Sequence, residues 1–325
     1  MSRIYEALQK AESERKSERR EPEFGIPDQP ASAAMTTAVA DPEDAVFSTP
    51  RFAEASLVTE PYVEPSTRRL LGGESLDLSK IPARPWALSV AELPALLERG
   101  PAVEQFRSLR SRIFELRDIS PLKTILVSSG VPQEGKSFIS TNLALSLARH
   151  KNSKVLLIDG DMRRYTLHQI LGCESHPGLA DYLAGKANVL DVMQRPEVLQ
   201  SPTAGANPIL PNLTFIAGGN GGDKAADLSG SPRFGELIRQ AAPHFDWIIV
   251  DSSPVLPVSD AVNLARWCDG VLLVARGGVT KFPVAQRAQS ELKASKILGF
   301  VLNAVQETPE IGGYYGYDGY DAAAQ

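Results

Sequence analysis

From about Trp86 the chain alternates between short unbroken apolar runs and longer segments whose apolar residues return every three to four positions. Thr124-Ile125-Leu126-Val127, Val155-Leu156-Leu157-Ile158 and Trp247-Ile248-Ile249-Val250 are runs of the first kind. A strand that is apolar at nearly every position has both faces covered, as in a parallel sheet between two helical layers. The second kind is illustrated by Ile139, Leu143 and Leu147, four apart on one helical face. The pattern predicts helices over 89–98 and 101–117, then strand 123–128, helix 136–150, strand 154–159 and short helices near 165–171 and 178–185. Strand 213–217, helix 231–242, strand 246–250, helix 259–267, strand 270–275, helix 282–293 and strand 297–303 complete the series. The expected fold class is therefore α/β, a mostly parallel sheet with helices on both faces. Ligands in such sheets sit beyond the carboxyl ends of the strands.

Outside this region the periodicity fails. Residues 1–20 read as a short helix, with Ile4, Leu8 and Ala11 on one face and nearly balanced charges through Arg20. Both a docking helix and a solvated, half-formed one fit that pattern. Residues 21–85 are rich in Pro, Ala and acidic residues and poor in aromatics, the composition of a disordered linker. The folded domain is expected over 86–305, and 306–325 reads as a flexible tail.

Composition narrows the function. The chain has 325 residues, 43% of them apolar, and a formal net charge of −5, which implies no general affinity for nucleic acid. No apolar run approaches the ~20 residues that span a bilayer. The first residues, Met1-Ser2-Arg3-Ile4-Tyr5-Glu6, lack an apolar signal core, and the expected home is a reducing cytoplasm. Cys173 and Cys268 form no C-x-x-C, which argues against a disulfide framework, a zinc site and an iron–sulfur carrier.

The chemistry lies at the predicted strand ends. Gly130-Val131-Pro132-Gln133-Glu134-Gly135-Lys136-Ser137 matches the phosphate-loop pattern G-x-x-x-x-G-K-[ST] between a strand and a helix. In that pattern backbone N–H groups wrap a polyphosphate, the Lys reaches its β and γ groups, and the hydroxyl ligates Mg²⁺. Gly130, Gln133, Glu134, Gly135, Lys136, Ser137 and Phe138 are the candidate nucleotide contacts, with ATP and Mg²⁺ as the expected cofactors. Strand 154–159 runs into Asp159-Gly160-Asp161-Met162-Arg163. Two carboxylates at i and i+2 on a strand's carboxyl end suit metal binding and activation of a nucleophile, and Arg163 can offset charge on a transferred phosphoryl. Asp251, after four apolar residues, is the second metal-side carboxylate, so Ser137, Asp159 and Asp251 are the candidate metal ligands. Asp260 reads mainly as a helix cap and secondarily as a contact to the site. Asn303 ends the last strand, where its amide suits either adenine's edge or a turn.

Taken together, Glu134-Gly135-Lys136-Ser137, Leu157-Ile158-Asp159-Gly160-Asp161-Met162-Arg163 and Ile249-Val250-Asp251-Ser252-Ser253-Pro254 resemble the Walker A, A′ and B motifs of the bacterial tyrosine kinases of capsule and exopolysaccharide synthesis. The opening Met1-Ser2-Arg3-Ile4-Tyr5-Glu6-Ala7-Leu8 is similar to the start of autokinases linked to exosortase-type polysaccharide loci. The resemblance covers roughly 86–320 and implies a P-loop NTPase fold of the MinD/ParA type. It also implies catalytic roles for Lys136, Asp159, Asp161 and Arg163. Tyr314, Tyr315, Tyr317 and Tyr320, half of the eight tyrosines, then become phosphoacceptors on a flexible tether. Glu104, Arg107 and Arg110 match an E-x-x-R-x-x-R helix that this family uses for subunit contacts in a ring. A surface ion pair within one helix explains the same residues. The family further implies a membrane polysaccharide co-polymerase as activator, polysaccharide-synthesis enzymes as additional substrates, and a place at the inner face of the plasma membrane. Two rivals stand beside the kinase: a nucleotide-switched positioning ATPase, and a non-catalytic ATP-binding regulator of polysaccharide export. Positioning ATPases usually carry an extra Lys where this chain has Val131.

Overall fold

The computed structural model describes residues 76–150, 153–197, 210 and 212–305. The expected N-terminal helix, most of the expected linker and the tyrosine-bearing tail lie outside the described residues.

The helices are α1 (Pro101–Ile119), α2 (Lys136–Ala148), α3 (Leu167–Leu171), α4 (Leu179–Leu183), α5 (Val189–Val192), α6 (Ala225–Ser229), α7 (Pro232–Ala241), α8 (Asp260–Ala265) and α9 (Phe282–Glu291). The strands are β1 (Ala83–Arg84), β2 (Thr124–Ser129), β3 (Val155–Asp159), β4 (Met193–Pro196), β5 (Leu213–Ile216), β6 (Trp247–Asp251), β7 (Gly270–Arg276) and β8 (Ile297–Asn303). They form one sheet in the order β1-β4-β5-β3-β6-β2-β7-β8. Every neighbouring pair is parallel except β4–β5.

The central strands are buried on both faces because successive side chains point to opposite layers. On one face Leu126, Leu156, Ile158, Ile248 and Val250 pack with Phe234 and Leu237 of α7. On the other, Ile125, Val127, Leu157 and Ile249 pack with Leu143 and Leu147 of α2 and with Phe106 and Ile113 of α1. The apolar stripe of α1 thus faces its own core, with Leu109 and Leu116 at its margin. Asp269 and Asp246 fix where β2 and β3 start, accepting from the backbone N–H groups of Thr124 and Lys154 at 2.8 Å each.

Three expectations change. The helix expected over 89–98 is two short 3₁₀ turns, Val90–Glu92 and Pro94–Leu96, because Pro94 has no N–H to continue an α-helix and its ring opposes the preceding turn. Ordered chain already precedes Trp86: Ile81 is buried in the core and β1 pairs with β4, within what was expected to be linker. Finally, α5, β4 and α6 are additions; β4 runs antiparallel to β5 through Met193↔Ile216 and Gln194↔Phe215.

Phe215 of β5 is fully buried and meets Trp86 edge-on, with ring centroids 6.1 Å apart. Phe215→Ala should therefore cost about 3–5 kcal/mol, read as a lower midpoint in urea unfolding with an unchanged slope.

Candidate active site

β2 delivers the loop 130–135 to the first turn of α2, so the phosphate-loop sequence sits at a helix N-terminus beyond a strand's carboxyl end. Gln133 has φ 66° and Gly135 φ 93°. A side chain at Gly135 would run into the Asn303 amide, so glycine is required there for both conformation and space. The loop is braced from within by Glu134 and from outside by Thr280 and Asn303. Glu134 is buried; its Oε2 accepts from Val131 N–H at 2.9 Å, and its Oε1 accepts from the Thr280 hydroxyl. Asn303 Nδ2 donates to the Glu134 carbonyl at 3.0 Å, and its Oδ1 accepts from Ala304 N–H at 2.9 Å. Asn303 thus ties the end of β8 to the loop. Phe138 is half-buried and packs edge-on against Phe106 at 5.7 Å.

The acidic groups converge because β3 and β6 are neighbours in register, with Asp159 opposite Asp251. Gly160 N–H donates to the Asp251 carbonyl at 2.9 Å, and a Cβ on Gly160 would stand 2.6 Å from that oxygen. Only glycine fits between the two aspartates. Asp159 Oδ1 accepts from Asp161 N–H and Oδ2 from Leu167 N–H, both at 3.2 Å. Asp161 Oδ1 accepts from Arg164 N–H at 3.0 Å, while Oδ2 faces Lys136 Nζ at 3.1 Å. Ser137 Oγ donates to Asp251 Oδ2 at 2.7 Å. Lys136, Ser137, Asp159, Asp161 and Asp251 are therefore brought together.

Arg163 is engaged elsewhere: Nε donates to Asp260 Oδ2 at 2.7 Å and a terminal nitrogen to Oδ1 at 3.3 Å. Asp260 is not a side-chain cap, since Ser259 precedes α8 and no cap hydrogen bond forms. On α1, exposed Arg107 pairs with exposed Glu104 at 2.5 Å. Arg110 folds onto α2, donating to the Ser146 carbonyl at 2.9 Å. The acceptor tyrosines 314, 315, 317 and 320 lie outside the described residues. Sequence reading missed Thr280, and it missed that Asp260, read secondarily as a site contact, pairs with Arg163. Neither carries a motif, and each meets its partner across about 100 residues or more of chain.

Burial makes this site electrostatically tense. Desolvation first, then the Asp251 charge, holds the Asp159 carboxyl well above the usual carboxylate range. Desolvation likewise raises Asp251, against the pull of Lys136 and the Ser137 hydrogen bond. Burial pulls the Lys136 ammonium down, but Asp251, Asp161 and Asp159 outweigh it and hold it above its ordinary value.

The residues fit a hydrated divalent cation beside polyphosphate. Asp251 Oδ1 and Ser253 Oγ are buried with no hydrogen-bond partner, and an anionic oxygen without a donor suits a metal or its waters. Among the described residues no cluster of three His, Cys, Asp or Glu closes on one point. Mg²⁺ in phosphate sites takes one or two side chains and completes its shell with water and substrate oxygens.

A carboxyl whose folded pKa is raised makes the nucleotide-free protein lose stability as pH climbs from the unfolded value of 3.8 through the folded one. Asp159→Asn should remove that contribution. In nucleotide-free urea unfolding from about pH 4 to pH 7, wild type minus variant should fall by up to a factor of ten in the folding constant per pH unit. The difference should vanish near pH 4.

No protein-family model matches the chain. Individual relatives do. Tyrosine-protein kinase YwqD of Bacillus subtilis is 32% identical over 216 residues, 66% of this chain and 86% of that protein. Tyrosine-protein kinase ptk of Acinetobacter johnsonii is 32% identical over 209 residues, 64% of this chain but 27% of its own length. Tyrosine-protein kinase wzc of Salmonella typhimurium is 32% identical over 224 residues, 68% of this chain and 29% of its own. The match thus spans little more than a quarter of those two longer relatives. Among solved structures, the chimerical protein CapA2B2 superposes with a TM-score of 0.60 at 26% identity, covering 70% of this chain and 96% of that one. The kinase domain of Escherichia coli tyrosine kinase ETK gives 0.55 at 28% identity, covering 69% and 80%. With its Walker A, A′ and B residues gathered at adjacent strand ends on a P-loop NTPase fold, the chain belongs to the bacterial tyrosine-protein kinase family.

Proposed function

We propose that this protein is an ATP- and Mg²⁺-dependent protein-tyrosine kinase that phosphorylates Tyr314, Tyr315, Tyr317 and Tyr320 of a neighbouring copy. The observation that carries the reading is the convergence of Lys136, Ser137, Asp159, Asp161 and Asp251 within one cluster of hydrogen bonds and ion pairs. In this reading Lys136 leaves Asp161 for the β and γ phosphates. The phenol of a tail tyrosine gives its proton to Asp159 as its oxygen bonds the γ-phosphorus. The bridging P–O bond breaks, and ADP departs with that electron pair. Burial and the Asp251 charge hold the Asp159 carboxyl above its ordinary range, the direction that strengthens it as a proton acceptor. Ser137 and Asp251, with Asp159 in part, would hold Mg²⁺, which would supply charge neutralisation at the phosphate oxygens when bound. The loop backbone from Gly130 through Phe138 wraps the phosphates, and Asn303 borders the base.

Transfer between copies suits a tail that follows β8 directly and an α1 surface that presents exposed Glu104 and Arg107 to a neighbour. Arg110, anchored on Ser146, supports that surface from beneath. The assembly is a homo-oligomeric ring at the inner face of the plasma membrane. It is stimulated by a membrane polysaccharide co-polymerase, and it acts on exopolysaccharide or capsule synthesis and export, with polysaccharide-synthesis enzymes as further substrates. No helix among the described residues is long and apolar enough to cross a membrane, and the partner is the membrane link in this reading.

Incubation with labelled ATP and Mg²⁺, followed by mass spectrometry of the last dozen residues, tests the reading. Label should appear on the tail tyrosines, and Lys136→Ala should lower it by about 10²–10³-fold. A Lys136→Ala copy should still be labelled when mixed with a copy whose tail tyrosines are all Phe. Nucleotide binding without labelled tyrosine, even with the membrane partner, would overturn the kinase in favour of an ATP-binding regulator.

A further inference from the structure

Asp260 has no place in the motifs, yet it is 1% exposed and commits both carboxylate oxygens to one guanidinium. Among the described residues, Lys136–Asp161 and Arg163–Asp260 are the ion pairs that bury a carboxylate; the rest lie in the open. Burying a charge is costly, and a pair of this kind is weak evidence for stability; what it fixes well is geometry. Arg163 has a third of its side chain exposed and was free to stay in water.

The geometry it fixes is that of the turn carrying the catalytic carboxylates. Residues 160–167 leave β3 and are held partly by bonds within the turn, Asp161 and Leu167 N–H to Asp159 and Arg164 N–H to Asp161, and partly from outside, by the Asp251 carbonyl on Gly160 N–H, Gly221 N–H on the Met162 carbonyl and Lys136 on Asp161. Helix α8 grips this turn at two points. Leu264 lies directly against Gly160, where a Cβ would stand 2.9 Å from its Cδ1, and Asp260 holds Arg163 by its side chain. Ala261 and Leu264 are themselves fully buried, so α8 is a rigid anchor.

We infer that Asp260 is a positioning residue of the phosphoryl-transfer site, acting through Arg163 to clamp the 160–167 turn so that Asp159 and Asp161 keep their aim. The catalytic part of this inference rests on the kinase reading above; the clamp itself does not.

Two measurements on the full-length chain test it. In hydrogen exchange without nucleotide, Asp260→Asn should speed exchange of the 160–167 amides by about tenfold while β2 and β6 keep wild-type protection. In tail phosphorylation, Asp260→Asn and Arg163→Gln should each lower kcat by about tenfold with KM for ATP within about twofold. The double variant should be no worse than the poorer single, and Asp260→Glu should recover most of the rate. Additive losses in the double variant, or unchanged exchange over 160–167, would overturn the clamp. If Asp260→Asn does not fold, Arg163→Gln carries the same exchange test from a partly exposed position. A wild-type chain that labels no tyrosine sinks the kinase reading alone, because the exchange result still decides the clamp.

Discussion

Two buried carboxylates held face to face set the terms of this structure. Asp159 and Asp251 end adjacent parallel strands in register, and both are sealed from water. Their mutual repulsion and lost hydration oppose folding, and the single ammonium of Lys136 offsets only part of it. The arrangement persists because the strands that carry it are locked by the largest apolar layers of the molecule, with Leu156, Leu157, Ile248 and Ile249 fully buried between α2 and α7. Local strain supported by a stable core is a common feature of sites whose charges await a ligand.

The same constraint explains the small residues around the motifs. Gly160 is forced by the carbonyl of Asp251 on one side and Leu264 on the other. Ser128 and Ser252 donate across the strand ends, to the carbonyls of Ser253 and Val127 at 2.8 and 3.0 Å. These contacts stitch β2 to the segment after β6, tying the strand that leads into the phosphate loop to the one that ends in Asp251. Arg163 belongs to this framework too, its charge directed at α8.

What could be read in the sequence followed from local rules. Buried strands such as Val155–Asp159 and Trp247–Asp251 are apolar without interruption, and helices such as Lys136–Ala148 and Pro232–Ala241 carry regular spacing. The phosphate-loop residues and both acidic strand ends were legible because their chemistry is written in contiguous residues. What was missed depended on distant chain. β4 is only Met193–Pro196, ends in Pro, and becomes a strand by lying against β5 and β1. The edge pairing of Ala83–Arg84 has no local signature at all, since it emerges from Pro-rich sequence. Thr280 on Glu134 and Asp260 on Arg163 are tertiary pairs, and an aspartate at the start of a helix reads as a cap unless its partner is known.

The bracing of the phosphate loop has a thermodynamic consequence. Glu134 within the loop, and Thr280 and Asn303 from two distant stretches of chain, hold the loop through contacts made by the polypeptide itself. The disorder that such a loop would otherwise surrender on meeting a nucleotide is surrendered while the polypeptide folds. Contact energy with a nucleotide is thereby spared that cost and can appear as affinity.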